Sequence, residues 1–307
     1  MNPPSAAALP AYVGRFAPTP SGPLHLGSLL TALAGWLQAR AAGGRWLIRI
    51  DDLDRPRCPP GTDTLILRQL EQHGLHWDDS PRYQSAHQAE YREALEALAQ
   101  AGHLYACDCT RARLLATSRP GPDDPVYDGH CRDRQLPVPG QALRLRCGLG
   151  PVSLDDPWQG LQHRDLATEI GDFIVWRRDG IAGYPLACVV DDAAQGITEI
   201  VRGADLLGST LRQRHLMSLR GQALPAARHL PVLVGADGRK LSKQNHARAL
   251  DPEQAGANLW RCLAWLDQDP PPGLQGAASA ELLAWALAHW QPGRLRARPR
   301  LEVEQAP

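Results

Sequence analysis

Lysine is almost missing from this 307-residue sequence, in which only two of the 33 lysine and arginine residues are lysines. Both stand in one short stretch, at Lys240 and Lys243. Chance placement in an exposed turn would require the two lysines to fall together by accident. A planar guanidinium does not imitate a compact, mobile ammonium group. The pair therefore predicts a loop whose chemistry requires ammonium groups.

Other absences exclude several classes of protein. There is no run of about 18 apolar residues, so no membrane span is predicted. Residues 1–6 lack a charged start and a long apolar stretch, and so do not resemble a secretion signal. We therefore expect a cytoplasmic protein, and hydrophobic and charged shares of 43% and 21% are typical of a globular core. Net charge is zero, so any basic surface for nucleic acid must be local.

The seven cysteines are an odd number, and three of them are crowded between Cys107 and Cys131. In a cytoplasmic enzyme such crowding favours a metal site over disulfides. Two thiolates one residue apart, at Cys107 and Cys109, can chelate Zn²⁺ together with a more distant ligand. Spacing alone leaves buried free thiols as the alternative. The isolated cysteines are predicted to be structural: Cys58, Cys147, Cys188 and Cys262.

The first 52 residues predict the start of a doubly wound parallel α/β sheet. A strand over 12–16, a helix over 24–42 and a strand over 46–50 form a strand–helix–strand unit. Such sheets bind ligands at the carboxyl ends of their strands. Residues 17–21 and 51–52 lie at these ends.

The remaining pattern predicts four segments. They are the first half of a Rossmann-type catalytic domain (1–102), an insertion (103–170), the second half of that domain (171–250) and a short helical C-terminal region (251–307). The elements expected after the first unit are helices over 62–73, 85–101 and 206–220, strands over 173–177, 186–191, 197–201 and 231–234, and two helical stretches after 251. The proline- and arginine-rich tail from residue 292 is expected to be loose.

The segment 15–28 runs from a strand through a tight turn into a helix N-terminus. That terminus offers free N–H groups and a positive dipole end to a phosphate. Gly27 lets a nucleotide approach the backbone closely, and His25 can donate a hydrogen bond to a phosphate oxygen. A histidine alone would more often be structural, so the prediction depends on the whole segment.

The lysine loop, residues 235–244, is the second chemical motif. Gly235 and Gly238 make it flexible. Two ammonium groups three residues apart can close over a triphosphate and neutralise the charge that develops on leaving pyrophosphate.

In this order, the two motifs resemble the two signatures of the class I aminoacyl-tRNA synthetases. Segments 15–26, 49–54, 83–85 and 201–205 resemble the glutamyl branch of that family, and the resemblance extends over residues 12–250. It implies that ATP, with Mg²⁺ on its phosphates, and L-glutamate are substrates. Departures from the usual signatures occur at Ser28, Leu241 and Gln244, and at Asp51, where the glutamyl branch commonly has glutamate.

The resemblance also assigns roles to individual residues. The residues implied to bind glutamate are Arg15, Ala17, Thr19, Ser21, Asp51, Tyr184 and Arg202. Those implied to bind ATP are His25, Gly27, Ser28, Lys240 and Lys243. Catalysis is expected from His25, Lys240 and Lys243, through stabilisation of charge on the phosphates.

Only 64 residues follow Lys243, too few for the anticodon-binding region of a full glutamyl-tRNA synthetase. This length resembles the glutamyl-queuosine tRNA(Asp) synthetase family, and implies transfer of glutamate to queuosine in the anticodon arm of tRNA(Asp). The same resemblance implies one structural Zn²⁺ on Cys107, Cys109, Tyr127 and Cys131, with His130 as a competitor for the fourth position. No protein partner is implied. The alternatives are a short glutamyl-tRNA synthetase that charges a tRNA 3′ end, and a non-catalytic tRNA-binding paralogue.

Overall fold

The computed structural model describes residues 11–122, 124–241 and 248–303. Within these residues the strands are β1 (Val13–Phe16), β2 (Arg45–Ile50), β3 (Arg82–Tyr83), β4 (Leu104–Cys107), β5 (Ala142–Leu145), β6 (Pro151–Asp156), β7 (Gly160–Asp165), β8 (Ile174–Trp176), β9 (Glu199–Gly203), β10 (Ala226–Leu230), β11 (Val232–Val234) and β12 (Arg300–Glu302). The α-helices are α1 (Leu26–Ala41), α2 (Thr62–Gln72), α3 (Gln88–Gln100), α4 (Arg111–Thr117), α5 (Tyr184–Ala194), α6 (Leu207–Leu219), α7 (Ala255–Trp265) and α8 (Ser279–His289).

A parallel α/β sheet forms the centre of the fold, as predicted. β1 pairs with β2 and β2 with β3, while β9 pairs with β10, all in parallel. The residue before β9, Thr198, donates its backbone N–H to the carbonyl of Val13 at 2.9 Å, so β9 lies beside β1. Asp51 likewise donates its backbone N–H to the carbonyl of Pro18 at 3.0 Å. The two predicted binding segments therefore meet at one edge of the sheet.

The principal hydrophobic core surrounds α1. Its leucines at positions 29, 30, 33 and 37 are fully buried, and α7 and α8 pack against the same helix. Each such leucine contributes about 1.5–3 kcal/mol through burial. The C-terminal helices therefore belong to the core that supports the sheet. No helix among the described residues is long and apolar enough to span a membrane.

The region between the halves of the sheet contains two antiparallel sheets. β4, β5 and β8 form one, and the hairpin β6–β7 forms the other. The hairpin is joined to the parallel sheet by a buried hydrogen bond between Asp156 and His229, 2.6 Å long. Cys107 is the last residue of β4, and Cys109 follows two residues later.

Two of the structural predictions were wrong, and seven of the twelve strands in the described residues were not predicted. Residues 186–191, predicted as a strand, lie within helix α5. A short apolar run that is buried throughout gives no periodicity by which strand and helix can be distinguished. The C-terminal tail was predicted to be loose, yet β12 pairs in parallel with β11. The sequence patterns also gave no prediction for β3, β4, β5, β6, β7 and β10.

Candidate active site

A cavity of about 510 Å³ opens at the carboxyl ends of β1 and β9. Ten of the residues predicted to bind glutamate or ATP line it: Arg15, Ala17, Thr19, Ser21, His25, Gly27, Ser28, Tyr184, Arg202 and Lys240. Asp51 is absent from the lining, and Lys243 lies outside the described residues. The fold thus brings together residues that are up to 225 positions apart in the sequence.

His25 forms the N-cap of α1 at the floor of this cavity. Its Nδ1 accepts a hydrogen bond from the backbone N–H of Gly27, at 3.1 Å. In a neutral imidazole that acts as an acceptor at Nδ1, the proton is on Nε2, which is therefore a donor. A Cβ at position 27 would lie 3.0 Å from the His25 ring, so glycine keeps this cap compact. The helix N-terminus and the imidazole together can stabilise a phosphate.

Arg202, at the carboxyl end of β9, is a buried cation that lacks a full set of partners. Its Nη2 donates to Oε1 of Gln213 at 2.7 Å. Within the described part of the chain, neither its Nε nor its Nη1 has a hydrogen-bond partner. Burial lowers the pKa of Arg202 because no adjacent acid compensates its charge fully. An anionic ligand group in the cavity would supply that compensation.

Arg15 lines the same cavity, but its charge is neutralised by the buried carboxylate of Asp192. Its Nε and Nη2 donate to the two carboxylate oxygens of Asp192, at 3.1 and 3.3 Å. Burial alone would lower the pKa of Arg15, but the charge of Asp192 raises it. Asp192 also accepts from Nη1 of Arg49 at 2.6 Å. This carboxylate on α5 therefore fixes two arginines of the cavity wall.

The carboxylate of Asp51 is also occupied. Arg49 donates to its two oxygens at 2.7 and 3.3 Å. Burial raises the pKa of Asp51 despite the arginine. Its implied role in binding glutamate stays a prediction, because both of its oxygens accept hydrogen bonds from Arg49.

Lys240, the first ammonium group of the lysine loop, lies at the cavity mouth. Its Nζ is 2.5 Å from Oδ2 of Asp205, a residue of the cavity wall just after β9. The two ends of the site, the loop and the turn after β9, are thereby joined by one ion pair.

Comparison with known proteins decides the family. Residues 12–258 match the family model described as the catalytic domain of class I tRNA synthetases for Glu and Gln. A glutamyl-Q tRNA(Asp) synthetase from Thiobacillus denitrificans is 50% identical over 282 residues, covering 91% of this chain and 93% of the relative. One from Methylococcus capsulatus is 48% identical over 294 residues, covering 95% of each.

The chain belongs to the glutamyl-Q tRNA(Asp) synthetase family.

Solved structures agree with the fold that this family implies. A glutamate-tRNA ligase from Elizabethkingia meningosepticum, in complex with its amino acid, has a TM-score of 0.77 at 23% identity. The glutamate-tRNA synthetase from Elizabethkingia anophelis has a TM-score of 0.79 at 22% identity. The likeness covers 94% and 95% of this chain, but 66% and 68% of those longer chains.

The three crowded thiols form a cluster suited to a metal. The Sγ atoms of Cys107, Cys109 and Cys131 lie within 4.8 Å of one another, with Cys109 and Cys131 3.5 Å apart. Sulfurs on a tetrahedral zinc ion are about 3.8 Å apart for Zn–S bonds of about 2.3 Å. The Tyr127 hydroxyl is 3.7 Å from Cys107 Sγ and 3.4 Å from Cys109 Sγ. His130 is not part of this cluster.

Each thiol is also contacted by an arginine. Arg144 donates to the sulfur of Cys107 at 3.2 Å, and two further arginines lie against the other sulfurs at 3.6 and 3.7 Å. Burial raises the pKa of the Cys107 thiol, but hydrogen bonds, chiefly from Arg144, outweigh it and hold the pKa below its usual value. Burial raises the pKa of the Cys109 thiol to about 11, so the fit to zinc rests on the three converging sulfurs.

Sequence reasoning gave no role to three residues of the active site: Arg49, Asp192 and Asp205. A signal existed for Asp192, because the sequence places two adjacent acids at the end of an apolar run. Acidic residues are seldom fully buried unless they are paired, so this placement predicts buried arginine partners. Asp205 stood within the segment 201–205 without an assigned function.

Proposed function

We propose that this enzyme activates L-glutamate with ATP as glutamyl-adenylate, and transfers the glutamyl group to queuosine in the anticodon loop of tRNA(Asp). The observation that carries the first half is Arg202, a buried cation in the cavity wall whose Nε and Nη1 have no partner among the described residues. A glutamate side chain would provide a planar carboxylate for this fork. Relatives that are 46–50% identical to this chain are named glutamyl-Q tRNA(Asp) synthetases, and this supports the second half.

In the first step, the α-carboxylate of glutamate attacks the α-phosphorus of ATP. A bond forms between the carboxylate oxygen and phosphorus, and the bond to pyrophosphate breaks. His25 and the N-terminus of α1 stabilise charge on the phosphates, and Lys240 and Lys243 stabilise the leaving pyrophosphate. Mg²⁺ accompanies ATP and adds positive charge. Catalysis thus consists of positioning and charge stabilisation.

In the second step, a hydroxyl of the queuosine cyclopentenediol attacks the carbonyl carbon of the adenylate. An ester forms, AMP leaves, and the hydroxyl proton is lost to solvent or phosphate. No protein nucleophile is required. The glutamyl group therefore moves from AMP to the modified base.

The zinc site is part of the proposal as a structural element. Cys107, Cys109, Cys131 and Tyr127 would hold one Zn²⁺ beside the end of β4. The region around it has only a small apolar cluster of its own, so metal binding would contribute to its folding.

The test locates the label after incubation with labelled glutamate, ATP and tRNA. Queuosine-containing tRNA(Asp) should accept glutamate, whereas tRNA(Asp) without queuosine should not. Periodate, which cleaves vicinal diols, should abolish acceptance. Label at the 3′ end of unmodified tRNA(Glu) would contradict the proposal and favour a short glutamyl-tRNA synthetase. Absence of glutamate-dependent ATP–pyrophosphate exchange would favour a non-catalytic tRNA-binding protein.

A further inference from the structure

A second cavity, of about 600 Å³, lies between α4 and the beginning of α5. One wall is a face of α4 formed at helical spacing by Arg111, Leu114 and Leu115, with Ser118 directly after the helix. Leu115 on this face is a large apolar side chain that is 75% exposed. The opposite wall is apolar as well, and includes Pro185.

Three arginines, Arg111, Arg144 and Arg212, and two aspartates, Asp124 and Asp172, line this second cavity, and the excess of one positive charge favours an anionic ligand. Arg111 lies at the beginning of α4, exposed, and has no ion-pair partner in the part of the chain that the structure describes. Arg212 lies across the cavity and pairs with the exposed carboxylate of Asp124 at 2.5 Å. The buried end is formed by Arg144, stacked 3.8 Å from the centre of the Tyr127 ring.

The second cavity adjoins the active site through α5. Tyr184 lines the first cavity and Pro185, the next residue, lines the second. The two cavities therefore share the N-terminal end of α5 as part of their walls. The partner that must bring a reacting group to the first cavity is the RNA substrate.

We propose that the second cavity binds a nucleotide next to the base that accepts glutamate. The inference rests on the proposed function. Unpaired RNA bases are recognised by stacking on aromatic or apolar side chains and arginine planes, and this cavity offers apolar walls with cations at its rim. Leu115 contacts the base, and Arg111 binds a phosphate. An acidic peptide would use the rim cations but would not require the position beside Tyr184.

The test compares two variants of the second cavity with two matched controls. Arg111→Glu reverses the rim charge, and Arg261→Glu makes the same change on α7, where the residue lines neither cavity. Leu115→Asp places a charge on the apolar face of α4, and Leu149→Asp makes the same change at another exposed leucine, which lines neither cavity. All four proteins should retain glutamate-dependent ATP–pyrophosphate exchange, because no first-cavity residue is altered.

Binding of a fluorescent queuosine-containing anticodon stem-loop should discriminate among these proteins. We expect each cavity variant to bind about tenfold more weakly, the loss typical of one stacked base, and to raise the KM for tRNA similarly. Arg111→Glu should also lower the salt dependence of binding, by about one unit in the slope of log K against log salt. The controls should bind like the parent protein.

Two outcomes separate this inference from the proposed function. Parent-like stem-loop binding by both cavity variants would overturn the inference, whatever the transfer reaction shows. If the parent protein transfers no glutamate to tRNA, the proposed function fails, but the stem-loop measurement still decides whether the cavity binds RNA. Weaker binding of an acidic peptide, with unchanged RNA binding, would assign the cavity to a different partner.

Discussion

Replacing Arg202 with methionine should abolish the preference for glutamate without unfolding the protein. Methionine is flexible and of similar length, so it can occupy the space without a charge. The guanidinium is buried, donates one hydrogen bond to Gln213, and has two nitrogens without a partner among the described residues. In the ligand-free protein it therefore contributes little to stability, because its burial cost is poorly compensated.

The magnitude follows from the two donors that glutamate would engage. A hydrogen bond to a charged group contributes about 1.5–3 kcal/mol, and truncating one partner of a buried charge pair costs about 2–5 kcal/mol. A loss of about 3–5 kcal/mol corresponds to a fall of roughly 100-fold to several thousand-fold in kcat/KM for glutamate. Glutamine should be affected far less, since its neutral amide gains little from the cation.

The assay is ATP–pyrophosphate exchange as a function of glutamate and of glutamine, with thermal unfolding of the same samples. Arg214→Met is the matched control, because Arg214 is a half-buried arginine of α6 that lines neither cavity. Unchanged kcat/KM for glutamate in Arg202→Met would refute the reasoning. A large fall in Tm would also refute it, since it would make Arg202 a structural residue.

Three further predictions concern stability and metal content. Asp192→Asn should lower the free energy of unfolding by about 3–5 kcal/mol, because two buried guanidinium groups lose their shared anion; an unchanged urea midpoint would contradict this. Protein purified without chelator should contain one Zn²⁺ per chain by metal analysis, and a Cys107→Ser/Cys109→Ser variant should contain none; full zinc in that variant would exclude the site. Burial lowers the pKa of three histidines: His73, His215 and His229. Below pH 6.5 these histidines bind protons more readily in the unfolded chain than in the folded protein, so the free energy of unfolding should decrease as the pH falls below 6.5. A Tm that rises on acidification would contradict this prediction.

Local sequence signals were sufficient for the first part of the fold. The unit β1–α1–β2 and the cap at His25 follow from a strand, a turn and an apolar helix that are contiguous in the chain. The membership of the cavity could also be predicted, since ten of the residues that the resemblance named line it. Residues within one contiguous motif are close to each other in the folded protein, so their placement can be predicted without knowledge of the tertiary structure.

The partners of those residues could not be predicted, because they lie far away in the sequence. Arg15 and Asp192 are 177 positions apart. The segment just before Asp192, residues 186–191, was predicted as a strand, which would have placed alternate residues on opposite faces of a sheet. In the helix, Asp192 and Cys188 lie one turn apart on the same face, and both contact Arg49. An error in one secondary-structure element thus concealed the wall of the active site.

This charge arrangement changes the explanation of amino-acid selectivity. The sequence departs from the usual signature at Asp51, which is one methylene shorter than the glutamate that the glutamyl branch commonly has there. In the structure, Arg15, Arg49, Asp51 and Asp192 form a balanced buried cluster. Arg202 is a further buried cation outside this cluster. A glutamate side chain would neutralise its charge, whereas a glutamine side chain would not. We therefore propose that selectivity depends on the excess charge at Arg202 more than on the length of the side chain at position 51.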